Sequence, residues 1–205
     1  TFHDFNKEEL LERFKKDTFI AIEEGISLNP IINSFQATVN RYQIDHSLIT
    51  LFLNSMAMDL EEQEFKKKNF NEYILGSAEV VGLMCLTVFC NGNKQQYEDL
   101  KPFAMSLGAA FQKVNFLRDI NADYNDLGRS YFPNVDLTKF DDNVKTKIEF
   151  DIERDFEMAK IGIKRLPKSS RFGVYLAYVY YLALFNKIKN TPSFDIMKVR
   201  IRVPN

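Results

Sequence analysis

The stretch QKVNFLRDINADYNDLGRSYFP, residues 112–133, sets Asn115, Asp119 and Asp123 four residues apart, with Gln112, Arg118, Arg129 and Tyr131 around them. On a helix each residue turns about 100° and rises about 1.5 Å, so the three oxygen-bearing side chains share an arc of about 80° and climb about 12 Å. Gln112 falls inside the same arc. Such a row reads in two ways. It is a polar face turned to water, or it is a set of hard oxygen ligands of the kind that hold Mg²⁺ together with substrate phosphates. Two neighbours weigh toward the second reading. FAMSLGAAF (103–111), just before it, is small and apolar like a buried helix, and the arginines beside it suit a diphosphate.

Working outward, the chain reads as all-α. Its 205 residues suffice for one domain with a single core, and 45% are hydrophobic, too many for disorder. Only 8 Gly and 6 Pro occur, too few turn residues for a sandwich or barrel. The net charge is −1, and no basic stripe marks a nucleic-acid surface. Cys85 and Cys90 are five apart in an apolar helical run, which predicts buried free thiols and a reducing, cytoplasmic setting. No signal-peptide pattern is visible. The longest apolar run, VVGLMCLTVFC (80–90), is too short to span a bilayer and reads as a core helix.

Helix signals divide the chain. Asn6 caps a first helix that Gly25 ends, and Asn29-Pro30 opens a second with the apolar face Ile31, Ile32, Phe35 and Val39. Asp45 or His46 begins a third, running to about Phe65, and KKKN (66–69) reads as a solvated turn. A fourth covers 70–90 and ends at NGN (91–93). A fifth starts near Lys94, is interrupted or kinked at Pro102, and carries the opening stretch to Gly128 and Pro133. Residues 140–167 form a long amphipathic helix. Residues 169–190 form another, capped by Ser169 or Ser170, and the tail from Phe194 begins helix-like. The sum is one bundle of roughly seven or eight helices without repeat or linker.

On the fourth helix Tyr73, Ser77, Ala78 and Gly82 share a face at helical spacing. A Tyr among small residues makes either the wall of a channel for a long apolar ligand or a close helix contact. His3 and His46 are isolated, and no Ser–His–Asp set, Gly-rich phosphate loop or dinucleotide fingerprint occurs.

These segments together resemble the squalene/phytoene synthase family, the head-to-head prenyl synthases, and bacterial phytoene synthases in particular. The opening stretch is similar to that family's second aspartate-rich motif, Q-x-x-N-x-x-R-D-x-x-x-D, through Gln112, Asn115, Arg118, Asp119 and Asp123, and GRSYFP to its G-R-x-Y-x-P. YILGSAEVVG (73–82) resembles Y-x-x-G-x-A-x-x-V-G, MAMDL (56–60) resembles M-R-M-D, and FDIMKVRIRVP (194–204) resembles the family's C-terminal segment. The likeness spans nearly the whole chain in the right order.

The resemblance implies an isoprenoid-synthase helical bundle over residues 1–205 in which two aspartate-rich helices face each other across a cavity. By analogy Asn115, Asp119 and Asp123 are Mg²⁺ ligands, with Asp119 and Asp123 in the catalytic centre, and Gln112, Arg118 and Arg129 lie near the diphosphates. Tyr73 lies near the reacting carbons, and Ser77, Ala78 and Gly82 line the prenyl pocket. Tyr131, Tyr181 and Arg200 are further diphosphate contacts. The implied reaction joins two prenyl diphosphates through a cyclopropyl intermediate with loss of both diphosphates. Two geranylgeranyl diphosphates giving phytoene, in carotenoid biosynthesis, is the favoured form. Squalene or dehydrosqualene from farnesyl diphosphate is the alternative, and NADPH enters only for squalene. A lipophilic product further implies peripheral association with the inner membrane.

Two departures stand out. Ala57 replaces the Arg of M-R-M-D. The family's first D-x-x-x-D, which precedes the segment matching TFHDFNKEELLERF (1–14), is not found, so the domain is expected to be N-terminally incomplete and inactive alone. The same gap supports a rival from another class, a non-catalytic helical binding or scaffold protein.

Overall fold

The structure is a computed structural model that describes residues 5–60, 67–127, 131–132, 135–198 and 200–202, with only the backbone of 67–69 and 122–127. Among these residues every regular element is helical. The order is α1 (Lys7–Glu24), α2 (Pro30–Tyr42), α3 (His46–Met58), α4 (Lys67–Ile74), a π turn (Leu75–Glu79), α5 (Val80–Cys90), α6 (Lys94–Leu127), a 3₁₀ turn (Leu137–Lys139), α7 (Asp142–Arg165), α8 (Lys168–Lys189) and α9 (Ser193–Ile196).

The helix starts follow local chemistry. Asn6 Oδ1 accepts from the Glu9 amide, Asn29 caps α2 with Pro30 as its first residue, and Asp45 Oδ1 accepts from the Ser47 amide at 2.8 Å. Gly25 closes α1 at φ 72°, the left-handed turn that glycine adopts at little cost.

Several boundaries and faces differ from expectation. Lys67, Lys68 and Asn69 are helical rather than a turn, and Ile31 is exposed on the far side of α2 while Gln36 is buried in its place. α6 runs through Pro102 without interruption. Pro102 and Glu98, whose carbonyl loses its partner there, both face solvent, where water replaces the missing amide. α8 begins directly after Pro167 with no side-chain cap, so Ser169 and Ser170 lie within it. The proline holds the preceding Leu166 extended, at ψ 153°, and this sets the boundary. Phe65, Gly128 and Pro133 lie outside the described residues.

α6 is the central post. It packs against α5, the π turn, α7 and α8. Ala110, Val114 and Leu117 of α6 are fully buried, meeting Ile152 and Phe156 of α7 and Phe185 and Ile188 of α8 in the main core. A second cluster, Ile22, Val39, Ile44, Ile49 and Leu53, joins α1 to α3. The stretch Phe70–Cys90 is long and apolar enough, by length and composition, to cross a membrane. Here it lies between α3 and α6, with Val80, Leu83 and Leu86 in the core. Cys90 is buried as expected, but Cys85 is exposed, and both are free thiols.

Small residues bring α5 and α6 together. A Cβ on Gly82 would fall 2.8 Å from the Ala104 carbonyl oxygen, and one on Gly108 only 2.6 Å from that of Ala78. The two backbones therefore touch, and the pair forms one thin wall of the cavity described next.

Candidate active site

A cavity of about 610 Å³ runs along the bundle between α5, α6, α7 and α8. Ser77, Ala78 and Gly82 line it from the π turn and α5, while Gly82 also makes the close helix contact, and Gln112 and Phe111 stand at its polar end. The rest of the lining is almost wholly apolar and includes Phe103, Leu107 and Ile163. Gly162 of α7 leaves the space into which Phe103 packs. The cavity opens to solvent between α5 and α8, where Val81, Cys85, Gly173 and Ala177 are exposed. The outer face of α8 beside this opening is apolar too, with Phe172, Leu176 and Tyr180 exposed.

One turn beyond Gln112 the α6 edge becomes polar. Asn115 Oδ1 accepts from the Tyr181 hydroxyl at 3.4 Å, and the Tyr181 ring stacks on Phe111 at 3.9 Å. Asp119 is held by two guanidinium groups. Arg118 Nη2 donates to Asp119 Oδ2 at 2.6 Å, and Arg200 Nε pairs with Oδ1 at 2.7 Å. The Asp119 carboxylate raises the Arg118 pKa above its already high range, chiefly through these hydrogen bonds. Asn115, Arg118, Asp119, Tyr181 and Arg200 thus come together, although Arg200 is 81 residues from Asp119 in sequence. Asp123 lies on the same helix, but its side chain is outside the described residues, as is all of Arg129.

The Asn115 amide oxygen and the Asp119 carboxylate are the oxygen donor types that a hard divalent cation takes. Here both are engaged, Asn115 by the Tyr181 hydroxyl and Asp119 by two guanidinium groups, so holding a cation requires Arg118 and Arg200 to turn away. Among the described residues no cluster of three acidic, His or Cys side chains forms. The spacing D-x-x-x-D does occur a second time, at Asp151 and Asp155 of α7. Both carboxylates close on Lys113, the second at 2.7 Å. Lys113 lies about 160° around α6 from Asn115 and about 120° from Asp119. The pair is therefore an ion-pair lock between α6 and α7, not a facing half of the Asn115–Asp119 edge. Burial alone would lower the Lys113 pKa, but its hydrogen bonds to Asp151 and Asp155 raise it overall.

Tyr73 departs from the face it was expected to share with Ser77 and Gly82. It does not line the cavity. Its ring packs 5.9 Å from Phe116 and 5.7 Å from Tyr131, and its hydroxyl donates to Asp59 Oδ2 at 3.1 Å. The angular argument assumed 100° per residue, whereas the π turn between Tyr73 and Gly82 winds wider, the Val80 amide reaching back to the Leu75 carbonyl. Tyr131 stacks face to face on Phe116 at 4.2 Å, in an aromatic group with Phe70 and Phe132. Asp59, the last residue of the M-A-M-D segment, is the partner that sequence reasoning left without a role.

Comparison with known proteins supplies the family. The family model for squalene/phytoene synthase matches residues 3–205. The 15-cis-phytoene synthase of Synechococcus elongatus is 26% identical, over 82% of this chain and 61% of its own length. The chloroplastic phytoene synthase of Narcissus pseudonarcissus is 28% identical, over 74% of this chain and 40% of its own. Among solved structures, squalene synthase HpnC from Alicyclobacillus acidocaldarius superposes with a TM-score of 0.77 at 16% identity, covering 92% of this chain and 76% of that one. A dehydrosqualene synthase in complex with ligand gives 0.67 at 19% identity, over 90% and 66%. The all-α isoprenoid-synthase fold is thereby shared, and the chain spans less than two thirds of the length of these two phytoene synthases. With residues 3–205 matched, the chain belongs to the squalene/phytoene synthase family.

Proposed function

We propose that the protein takes part in Mg²⁺-dependent head-to-head condensation of two prenyl diphosphates, with geranylgeranyl diphosphate as substrate and phytoene as product. The observation that carries this reading is the join between an apolar cavity and a ligand edge: Gln112 lines the cavity, and Asn115 and Asp119 follow it within two turns of α6. A prenyl tail needs the first, and a diphosphate needs the second. The phytoene synthases similar in sequence favour this substrate; farnesyl diphosphate is the alternative, with NADPH for squalene alone.

The residues divide the work. Ser77, Ala78 and Gly82 form the wall against the tail, and the tight Gly82–Ala104 contact excludes water from that side. Arg118 and Arg200 would turn from Asp119 to the diphosphate oxygens, where a guanidinium fork donates two parallel hydrogen bonds. Asn115, Asp119 and Asp123 would hold Mg²⁺, which supplies positive charge against a departing diphosphate. Tyr73, Phe116 and Tyr131 pack against one another outside the cavity lining, so their part is to support the α6 helix from behind rather than to face a cation. We place the protein in the cytoplasm, peripheral to the inner membrane, and expect the 205-residue chain alone to bind but not turn over substrate.

The test is calorimetric binding of geranylgeranyl and farnesyl thiodiphosphates, with and without Mg²⁺, beside turnover of the labelled diphosphates. Mg²⁺-dependent binding that Asp119→Ala abolishes supports the proposal. Equal binding by the variant removes Asp119 from the metal role, and no binding at all favours a helical scaffold. Clear turnover would disprove the expectation that the chain is inactive alone.

A further inference from the structure

The cavity has an abrupt end. From Gln112 its α6 wall runs twelve residues to Leu100, about 18 Å at the helical rise. There Leu100, 2% exposed, lines the cavity with Leu86 and Phe89 of α5 and with Leu166, just after α7. The other side of Leu100 borders a second, smaller pocket of about 330 Å³ whose remaining lining is polar or charged: Asn93, Gln95, Gln96, Asp99 and Arg165. The Arg165 guanidinium lies 5.5 Å over the ring of Phe103, itself a cavity residue. One leucine thus separates an apolar channel from amide and charged groups.

We infer that Leu100, backed by Phe89, is the end wall that sets the longest prenyl tail the cavity accepts. The inference rests on the proposed reading of this cavity as the prenyl site. A tail that stops at Leu100 stays among apolar side chains. A longer one that continues along α6 has to displace Leu100 and strip water from Asp99 and Arg165 without replacing that water's hydrogen bonds. One that turns aside leaves the apolar lining through the opening between α5 and α8. Length is therefore limited by a steric wall with a polar penalty behind it, not by a gradual loss of contact.

The test is a chain-length profile by calorimetry, using the full chain with Mg²⁺ and geranyl, farnesyl, geranylgeranyl and geranylfarnesyl thiodiphosphates. Leu100→Ala and Phe89→Leu should move the best-bound probe to a longer tail, changing the affinity ratio between adjacent lengths by about tenfold, the scale on which apolar pockets discriminate. Cys85→Phe, at an exposed position one turn before Phe89, should move it to a shorter one. If Leu100→Ala does not fold by circular dichroism, Leu100→Val and Phe89→Leu carry the same test. A profile that Cys85→Phe shifts and the wall variants do not would keep the prenyl site and overturn the end wall. Absence of saturable binding for every probe would instead overturn the proposed function.

Discussion

Replacing Gly108 by alanine adds one methyl group where α6 crosses the π turn. That methyl would sit 2.6 Å from the Ala78 carbonyl oxygen, 2.9 Å from its carbon and 3.1 Å from Glu79 Cα, all backbone atoms that no rotamer change can move. In an open helix interior, Gly to Ala gains roughly 1 kcal/mol of helix propensity. Overpacking of this kind costs about 1–3 kcal/mol. The net expectation is a loss of about 0–2 kcal/mol. Gly173 in α8 is the internal control, since a Cβ there meets nothing within 4 Å. Gly173→Ala should therefore stabilise by up to about 1 kcal/mol, leaving the two variants about 1–3 kcal/mol apart. For a chain of this size each kcal/mol moves the melting temperature by roughly 2–4 °C. Thermal unfolding followed by circular dichroism reads the difference directly. If Gly108→Ala melts as high as Gly173→Ala, the backbone contact between α6 and the π turn is not as close as described, and the thin-wall account fails.

Other perturbations follow from the same geometry. Lys113→Met removes the ammonium that both Asp151 and Asp155 close on, and should cost about 3 kcal/mol in denaturant unfolding, because removing one partner of a buried pair strands the other; a loss within error would make the lock incidental. Burial, and then the charge of Asp155, raise the Glu79 pKa, so the unfolded chain ionises first. Stability from this group is fully present below the ordinary carboxylate pKa and falls as pH rises through the raised folded value. Glu79→Gln should therefore raise the melting temperature at neutral pH, by about 2 °C, and show a smaller fall with pH than the parent; identical pH profiles would contradict the assignment. Tyr73→Phe removes the hydroxyl bound to Asp59 and should destabilise by about 1 kcal/mol on unfolding.

How much of this was legible beforehand depends on how local each cause is. Caps at Asn6, Asn29 and Asp45, the stop at Gly25 and the close contact implied by Gly82 and Gly108 are written in residues that act on their own neighbourhood. Where an element depended on its surroundings, the reading slipped. Pro102 did not interrupt α6 because its orphaned carbonyl faces water, and Tyr73 left the Ser77 face because a π turn changed the helical phase. The site divides the same way. Asn115, Asp119 and Gln112 share an edge by spacing alone, since one helix sets their geometry.

The amino-acid sequence by itself determined the helical class, most helix starts and the row of ligands on α6, because helix periodicity and capping act over a few residues. Only the tertiary structure decided which charges meet that row and which do not. Arg200 reaches Asp119 across 81 residues, whereas Asp151 and Asp155, spaced like ligands, turn to Lys113 on another side of the same helix. Spacing places side chains around one axis, but only packing sets how the faces of separate helices turn toward one another, and the cavity and its end at Leu100 exist only in that arrangement.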